Sequence, residues 1–327
     1  MFPPLLSIDA LYLFATRVFG PPFWLALFFG LYLRHATPFL IYTSGLIAAL
    51  TSTKYLLPLL ETLQYGSPRH VDFSSEIVVI TGGSRGLGRV LTELLVARGA
   101  RVAVLDVVPF GEAQSVMFIA TDVGDVQAVL DAQRRILGVP TTLINNAGIV
   151  NGKALLELSS AEVEQNFRVN LLSHFHTIRA FLPKMLTLPH GGTVVTVSSV
   201  LGELGAAQLS DYTAAKAGMI AMHASLRAEL DAAGNDRIKT LLIKPGQLST
   251  PLFKDVETPS SFFGPVVGPI ELAKRIVERI EAGQSGVIAL PLYAAYIEWM
   301  SVLPYAVQGM LRKLSGMDQA MQTFKPR

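Results

Sequence analysis

Short apolar runs alternate with longer amphipathic stretches between residues 71 and 291. The runs are nearly continuous in Val, Ile and Leu, which is typical of parallel strands that are buried on both faces. Helices between such strands predict an α/β fold with a doubly wound parallel sheet, which binds its ligand beyond the carboxyl ends of the strands. The predicted strands are Glu76–Thr81, Arg101–Asp106, Val116–Thr121, Thr142–Asn146, Thr193–Ser198, Ile238–Lys244 and Gly286–Leu290.

Residues 1–70 show a different pattern, in which apolar residues are interrupted by proline and rarely by charge. The longest apolar segments are Val18–Leu33 and Pro38–Leu50, each shorter than the ~20 residues that span a bilayer. This zone is predicted to anchor the protein in a membrane, as a re-entrant hairpin, as two short transmembrane helices or as an anchor in the membrane plane. A packing arm of a soluble dimer is the alternative. Aromatic residues such as Trp24 and Tyr32 favour the membrane, because they collect at bilayer interfaces.

Residues 292–327 form a third zone, an apolar helix-like segment followed by a short basic tail. The segment Leu292–Met310 carries Tyr296 and Trp299 and is interrupted by Glu298. It is predicted to form a helix at the membrane interface, and packing in a dimer or on the domain is the alternative.

A loop rich in Phe, Pro and Gly is predicted over Gln247–Pro269. Because Phe253, Phe262 and Phe263 would be costly to expose on a loop, they are expected to meet an apolar ligand, a membrane or the core.

The composition narrows the classes of function. The 327 residues suffice for one α/β domain with an appendage. A net charge of +2 without a basic run argues against a nucleic-acid partner. The absence of cysteine excludes disulfides, thiolate catalysis and cysteine–metal sites. His174 and His176 are two apart on a predicted helix and point away from each other, so no metal site is expected.

A glycine-rich turn lies between the first strand and the predicted helix Gly86–Arg98. It reads Thr81-Gly82-Gly83-Ser84-Arg85-Gly86-Leu87-Gly88. Glycines let the backbone approach a pyrophosphate, and the amino end of the helix offers N–H groups and a positive dipole to it. The turn therefore predicts a dinucleotide site.

Two residues with opposite charge bear on the choice of cofactor. Asp106, at the end of the second strand, can accept both ribose hydroxyls of NAD and would repel the 2′-phosphate of NADP. Arg85 can instead pair with a 2′-phosphate or neutralise Asp106. On balance the sequence favours NAD over NADP.

Further motifs follow in order along the chain. They are Asn145-Asn146-Ala147-Gly148, Arg168-Val169-Asn170-Leu171, Ser198-Ser199, Tyr212-Thr213-Ala214-Ala215-Lys216 and Lys244-Pro245-Gly246 with Thr250. In this order and spacing they resemble the signature of the short-chain dehydrogenase/reductase family over roughly residues 75–291. The resemblance implies a Rossmann fold and an NAD(P)-dependent enzyme acting on CH–OH groups. The run from Pro269 to the basic tail is similar to a membrane-bound branch that contains retinol dehydrogenases and lipid-droplet hydroxysteroid dehydrogenases.

Catalytic roles are implied for four residues. Tyr212 and Lys216 are four apart on a helix and share a face. A nearby ammonium and the positive nicotinamide ring both favour the phenolate, so Tyr212 is expected to be the base, with Ser199 holding the substrate oxygen. By resemblance, Asn170 supports a water that carries the proton onward from Lys216. The cofactor is expected to contact Gly82, Ser84, Arg85, Gly86, Leu87, Gly88, Asp106, Asp122, Val123, Asn146, Ala147, Gly148, Tyr212, Lys216, Pro245, Gly246 and Thr250.

The expected substrate is an apolar lipid-like alcohol or ketone, such as a retinoid, a sterol or a long-chain alcohol. Two alternatives stay open: an NADPH-dependent keto-lipid reductase of lipid biosynthesis, and a non-catalytic cofactor-binding scaffold at a membrane. The resemblance places the protein at the endoplasmic reticulum or a lipid droplet, and it allows a homodimer through the helices that hold Asn170 and Tyr212.

One feature departs from the family pattern. Only fifteen residues separate Asp106 from Asp122, and they include a whole strand. A helix does not fit there, and Pro109 and Gly111 indicate a loop. The adenosine side of the cofactor site is therefore expected to be more open than is usual.

Overall fold

Seven parallel strands form one sheet in the part of the chain that the structure describes. Their order is β3-β2-β1-β4-β5-β6-β7. The strands are β1 Ile77–Thr81, β2 Arg101–Asp106, β3 Val116–Ala120, β4 Thr142–Asn145, β5 Gly192–Val197, β6 Ile238–Pro245 and β7 Gly286–Leu290. Every residue of β1, β4, β5 and β6 is buried, as the apolar runs indicated. The doubly wound parallel sheet is confirmed, and the predicted strand ends differ by no more than one residue.

The structure is a computed structural model. It describes residues 7–12, 20–34, 37–111, 115–253, 256, 260–262, 264–316, 318, 321 and 324, without the side chains of residues 50, 51, 53–59 and 61–65. The helices are α1 Pro21–Leu33, α2 Pro38–Tyr65, α3 Gly86–Ala97, α4 Val126–Arg135, α5 Ser160–Phe167, α6 Ser173–Met185, α7 Ser210–Ala232, α8 Pro269–Glu281 and α9 Tyr305–Ser315.

Helices cover both faces of the sheet and create two hydrophobic cores. On one face, α3 and α8 pack over β1, β2, β5 and β6. On the other face, α4, α6 and α7 form the second core. The sequence of α8 shows why it lies there: Leu272, Ala273, Ile276, Val277 and Ile280 are buried at helical spacing, and the charged residues between them face outward.

The order in which successive strands are added to the sheet reverses between β1 and β4. β1 pairs with β2 on one side and with β4 on the other, so the chain winds outward from the centre both ways. The loops after these strands diverge and leave a crevice at their carboxyl ends. The glycine-rich turn follows β1 directly and therefore lies at this crevice.

The amino-terminal helices α1 and α2 pack against each other. Gly45 of α2 lets the Phe28 ring approach closely, since a Cβ at Gly45 would lie 3.1 Å from that ring. Large apolar side chains on the outer surface, including Phe29 and Tyr42, are exposed. Among the described residues, no helix has both the length and the apolar character needed to cross a bilayer. The transmembrane helix is thus not confirmed; Val18, the first residue of its expected segment, lies outside the description.

The carboxyl-terminal segment corrects one expectation. Leu292–Met310 is not a single helix: it forms 3₁₀ turns at Leu292–Ala295 and Ile297–Val302, and α9 begins only after Pro304. Proline lacks an N–H donor and disfavours continuation of a preceding helix. Glu298 also binds the buried Lys244 ammonium, 3.0 Å away, which holds the 3₁₀ turn against β6. The end of the basic tail, residues 325–327, lies outside the described residues.

The connection between β2 and β3 agrees with the expected loop. Residues 107–111 and 115, its described part, contain no helix. Phe110 turns back into the core beside α3, where the Arg89 guanidinium lies 5.7 Å from its ring centre. This contact gives the loop a fixed anchor next to the glycine-rich turn.

Candidate active site

A cleft of about 600 Å³ opens at the carboxyl ends of the central strands. Most of the residues expected to bind cofactor line it: Gly82, Arg85, Gly86, Leu87, Asp106, Asp122, Val123, Asn146, Ala147, Gly148, Tyr212, Lys216, Pro245, Gly246 and Thr250. Ser199 also lines the cleft. Ser84, Gly88 and Asn170 do not, and each instead supports its wall.

The glycine-rich turn depends on its glycines for two different reasons. Gly82 and Gly86 have φ values of 66° and 54°, in the left-handed region that favours glycine. Gly88 is needed for packing, because a Cβ there would lie 2.1 Å from the Gly82 carbonyl oxygen and 2.5 Å from the Asn146 amide nitrogen. Asn146 donates from that nitrogen to the Thr81 and Gly82 carbonyls, at 3.2 and 3.0 Å. The turn is therefore fastened to the end of β4.

Asp106 ties the end of β2 to the glycine-rich turn. Its carboxylate accepts hydrogen bonds from the N–H groups of Ser84 and Val108, both at 3.0 Å. The Ser84 hydroxyl donates to the Val108 carbonyl at 2.6 Å, so its side chain is used within the wall. Arg85 is exposed at the cleft, and no ion pair joins it to Asp106 within the described structure. Each charge is thus separately available to a ligand.

The loop after β3 carries Asp122 and Val123 to the same end of the cleft. The Asp122 carboxylate accepts from the Gly124 N–H at 2.9 Å. His176 on α6 lies 3.2 Å from the Val123 carbonyl through its Nδ1 and so steadies this loop. His174 is buried on the other side of α6. Among the described residues, no group of three His, Cys, Asp or Glu side chains has the arrangement of a metal site.

Tyr212 and Lys216 lie side by side on α7, each only 4% exposed. The Lys216 ammonium is 5.5 Å from the centre of the Tyr212 ring and donates to the Val197 carbonyl at the end of β5, at 2.9 Å. The Ser198 hydroxyl donates to the Lys216 carbonyl at 3.0 Å. These bonds fix the first turns of α7 against β5 and thereby set the position of both side chains.

Burial dominates the protonation of this pair. It raises the pKa of the Tyr212 phenol, and a hydrogen bond with the Ser199 side chain opposes it only in part. It also lowers the pKa of the Lys216 ammonium to about 7. Lys216 was expected to lower the pKa of Tyr212. In the structure, the effect of burial is larger and the pKa of Tyr212 is raised. Burial thus disfavours both charges, because it removes water from the phenolate and from the ammonium.

Ser199 stands between β5, β6 and α7. Its hydroxyl accepts from the Leu201 N–H at 3.1 Å and lies 3.5 Å from the Pro245 carbonyl. The hydroxyl therefore caps a short 3₁₀ turn while remaining beside Tyr212 on the cleft wall.

Asn170 is the buried residue of a π-helical turn, Arg168–Leu172. Its amide exchanges two hydrogen bonds with the backbone of Ile149, both at 2.9 Å, and donates to Asn166 at 2.7 Å. A Cβ on Gly148 would lie 3.0 Å from the Asn170 oxygen and 3.9 Å from the Lys216 nitrogen. Asn170 and Lys216 thus both lie close to Gly148; the water-bound role of Asn170 stays a prediction.

The comparison with known proteins decides the family. The chain matches the family model for short chain dehydrogenases over residues 76–260. A bovine protein, short-chain dehydrogenase/reductase family 16C member 6, is 30% identical over 84% of this chain and 92% of its own length. The chain belongs to the short-chain dehydrogenase family. It is accordingly an oxidoreductase that uses NAD or NADP.

Three further proteins are similar to this short-chain dehydrogenase. Retinol dehydrogenase 10-B of Xenopus laevis is 28% identical over 79% of this chain and 87% of its own. An uncharacterized oxidoreductase of Saccharomyces cerevisiae is 32% identical over 75% and 83%. A crystal structure of a Burkholderia cenocepacia short-chain dehydrogenase in complex with NADP superposes with a TM-score of 0.62 at 25% identity, over 76% of this chain and 98% of that one. The enzyme resembles the retinol dehydrogenase branch.

Three residues in or beside the cleft of this short-chain dehydrogenase were not expected from the sequence to belong to the site. Asp211 is buried beside Tyr212, accepts from the Tyr212 N–H at 2.8 Å and is held by the Asn151 amide at 2.7 Å. Phe324 lines the cleft from the far end of the chain. Phe253 was noted only as a loop aromatic, yet its ring meets that of Tyr212 edge-on at 5.8 Å. An acid next to the motif tyrosine was a usable signal for Asp211; the sequence held none for Phe324.

The packing at Gly88 gives a first test of the cofactor cradle. Gly88→Ala is expected to weaken NAD binding at least about tenfold and to destabilise the fold by roughly 1–3 kcal/mol, the usual cost of overpacking. The reason is that the new methyl collides with backbone and must displace the turn from β4. Binding is measured by fluorescence titration of NADH. Gly205→Ala is the matched control, since its Cβ meets nothing within 4 Å; equal effects of the two changes would refute the packing argument.

Proposed function

We propose that this enzyme transfers hydride between NAD and the alcohol or ketone group of an apolar, lipid-like substrate. The observation that carries the proposal is the apolar surround of Tyr212. Tyr212 belongs to a cluster with Leu209 and Met321, packed against Val150, Leu201, Ala206, Phe253, Val256 and Phe324. A substrate whose oxygen reaches Tyr212 therefore has hydrocarbon surface beside it, which favours a retinoid, a sterol or a long-chain alcohol.

The residues present fit a dinucleotide. The bare glycine turn at the amino end of α3 suits a pyrophosphate, and Asp106 and Asp122 suit the adenosine end. Tyr212 and Lys216 line the same cleft beyond Gly148, on the side where the nicotinamide and its ribose would be held. The cleft volume lies in the range of cofactor sites, ~300–1,000 Å³.

The chain's own residues account for the movement of the proton. Bound NAD(P) supplies the acceptor or donor of hydride. The Tyr212 oxygen takes the proton of the alcohol, or returns one to the ketone oxygen in the reverse direction. Lys216 places an ammonium beside Tyr212 and stabilises the phenolate, which is the form that accepts the alcohol proton and the form left after the proton is returned to a ketone oxygen. Ser199 donates to the substrate oxygen and holds charge that develops there.

Asp106 supports NAD over NADP, and its replacement tests the choice. Asp106→Ala is expected to weaken NADH binding by roughly 10–100-fold, because charged hydrogen bonds to the ribose are lost. The ratio of the affinity for NADH to the affinity for NADPH is expected to fall. Both affinities are measured by fluorescence titration. Asp131→Ala, which removes a carboxylate on α4 outside the cleft, serves as control. Unchanged affinity for NADH, or a wild type that prefers NADPH, would contradict the assignment.

The NADPH-dependent keto-lipid reductase is the second candidate. It is favoured by Arg85, whose guanidinium is exposed at the cleft and makes no ion pair with Asp106. The melting temperature of the wild type is measured with NADH and with NADPH. A larger rise with NADPH than with NADH, and the loss of this difference in Arg85→Ala, would support the reductase. The non-catalytic scaffold is opposed by the joint placement of Ser199, Tyr212 and Lys216.

The proposal includes attachment to a membrane of the endoplasmic reticulum or a lipid droplet. Trp299 and Tyr305 are 65% and 89% exposed, and large apolar side chains of α1 and α2 are exposed as well. Such surfaces are costly in water and suit an interface. The segment 7–12 reaches the substrate side, where Asp9 accepts from the Leu292 N–H at 2.6 Å and Ile8 donates to the Phe262 carbonyl at 3.2 Å. Co-flotation with phospholipid vesicles tests the attachment.

A homodimer through the helices that carry Asn170 and Tyr212 is also proposed. Leu172 and Phe175, on the outer side of the Asn170 helix, are exposed and apolar, which supports an interface there. Light scattering of the purified enzyme in detergent gives its mass and tests this point.

The substrate class is tested by a turnover screen. Wild-type enzyme with NAD is offered retinoids, sterols, fatty alcohols and short water-soluble alcohols, with Tyr212→Phe as the blank. Turnover of the apolar compounds in preference to the short ones is expected. Equal kcat/KM for short and long alcohols would remove the support for a lipid-like substrate.

A further inference from the structure

The end of the chain returns to the active site. α9 ends at Gly316, whose φ of 67° terminates the helix in the left-handed conformation. The Arg312 guanidinium then binds the Asp318 carboxylate through two nitrogens, at 2.5 and 3.3 Å. After this reversal Met321 is 4% exposed and packs in the cluster of Leu209 and Tyr212. Met321 thus places the carboxyl-terminal part of the described chain beside Tyr212.

The Phe324 side chain lies in the wall of the cleft. It lines the cleft together with Tyr212 and Phe253, and its backbone N–H donates to the Met321 carbonyl at 3.1 Å. A Cβ on Gly152 would lie 2.1 Å from two atoms of the Phe324 ring. Gly152 also has a φ of 66°. The ring therefore occupies the space that any other side chain at position 152 would fill.

The position of the ring identifies the part of the ligand that it meets. The adenosine end of the cleft is marked by Arg85, Asp106 and Asp122, whereas Phe324 packs in the apolar cluster around Tyr212. Phe253 approaches Tyr212 edge-on from the loop after β6. Phe324 and Phe253 thus present aromatic carbon to a molecule whose oxygen is at Tyr212.

We propose that Phe324 is a specificity-determining residue, whose ring forms with Phe253 an apolar wall that contacts the hydrocarbon next to the reacting carbon. This rests on the proposed function, since it names the part of the substrate that the same site recognises. The wall selects a long or bulky hydrocarbon over a short alcohol, because the larger hydrocarbon buries more apolar surface against the two rings.

The variants Phe324→Ala, Phe324→Leu and Gly152→Ala are compared with Leu314→Ala, a control on the exposed side of α9. The substrates are 1-butanol and 1-decanol in one detergent, with saturating NAD. Phe324→Ala is expected to lower kcat/KM for decanol at least about tenfold, the scale of a lost apolar contact in a pocket, with little change for butanol. Gly152→Ala should act in the same direction by displacing the ring, and Phe324→Leu should retain most of the activity.

Two results would overturn the proposal: an equal loss for both alcohols, or no loss for decanol in Phe324→Ala. Binding of a pyrene-labelled long-chain alcohol, measured in parallel by fluorescence polarisation, separates this proposal from the proposed function. If the wild type oxidises neither alcohol, the proposed reaction fails; weaker binding of the probe to Phe324→Ala than to Leu314→Ala would then still support the wall, and equal binding would refute it.

Discussion

Tyr212→Phe is expected to lower kcat for oxidation of a long-chain alcohol by roughly 10²–10⁴-fold, the contribution of a positioned general acid or base. The change removes one oxygen and leaves a buried ring of the same shape, so the packing with Phe253 and Leu209 is retained. Affinity for NADH is expected to change little, since Lys216 and the glycine-rich turn remain. Stopped-flow absorbance of NADH formation measures the rate.

The control for this variant is another tyrosine. Tyr305→Phe removes a hydroxyl from an exposed residue of α9 and should leave kcat unchanged. A Tyr212→Phe enzyme with kcat near the wild-type value would show that another group carries the proton. A loss confined to NADH binding would assign Tyr212 to the cofactor alone.

The second large effect is expected at the opposite edge of the sheet from the cleft. Arg69 and Glu76 form a buried two-fold ion pair, with nitrogen–oxygen distances of 2.8 and 2.9 Å and side-chain exposures of 3% and 4%. Hydroxyls of Thr141 and Thr142 donate to the same carboxylate, at 2.5 and 3.2 Å. Arg69→Met is expected to lower the free energy of unfolding by about 3–5 kcal/mol, because it leaves the Glu76 carboxylate buried without its partner.

Urea unfolding followed by circular dichroism measures this loss. Arg98→Met breaks an exposed ion pair with Glu281 and should cost at most about 1 kcal/mol. The double variant Arg69→Met with Glu76→Leu should recover much of the stability, since no unpaired charge then remains buried. A cost for Arg69→Met no larger than that for Arg98→Met would contradict the account of this network.

The fold was accessible from the sequence because its signals are local. Strands buried on both faces are continuous apolar runs, and the turn after β1 needs glycine at Gly82 and Gly86 for its backbone conformation. The spacing of Tyr212 and Lys216 on one helix likewise fixes their common face. Each of these inferences requires only the neighbours along the chain.

Other features depended on partners that are distant in sequence. Ser84 and Gly88 were expected to contact the cofactor, whereas in the structure they fasten the turn to β2 and β4. In the sequence, Glu298 only interrupts an apolar segment. In the structure, it forms an ion pair with the buried Lys244. Phe324 enters the cleft only because the chain reverses after Gly316. The hydrophobic periodicity of a sequence carries no information about contacts between residues that are far apart in the chain.

Hydride transfer with Tyr212 as the base can be tested by one direct measurement. Wild-type enzyme and Tyr212→Phe are given NAD and a long-chain alcohol that carries deuterium on its carbinol carbon, and the reduced cofactor is analysed by mass spectrometry. The expected result is deuterium in the NADH formed by the wild type and almost none formed by the variant in the same time. Two results would contradict hydride transfer with Tyr212 as the base. One is NADH without deuterium from the wild type, and the other is an equal amount of deuterated NADH from both enzymes in the same time.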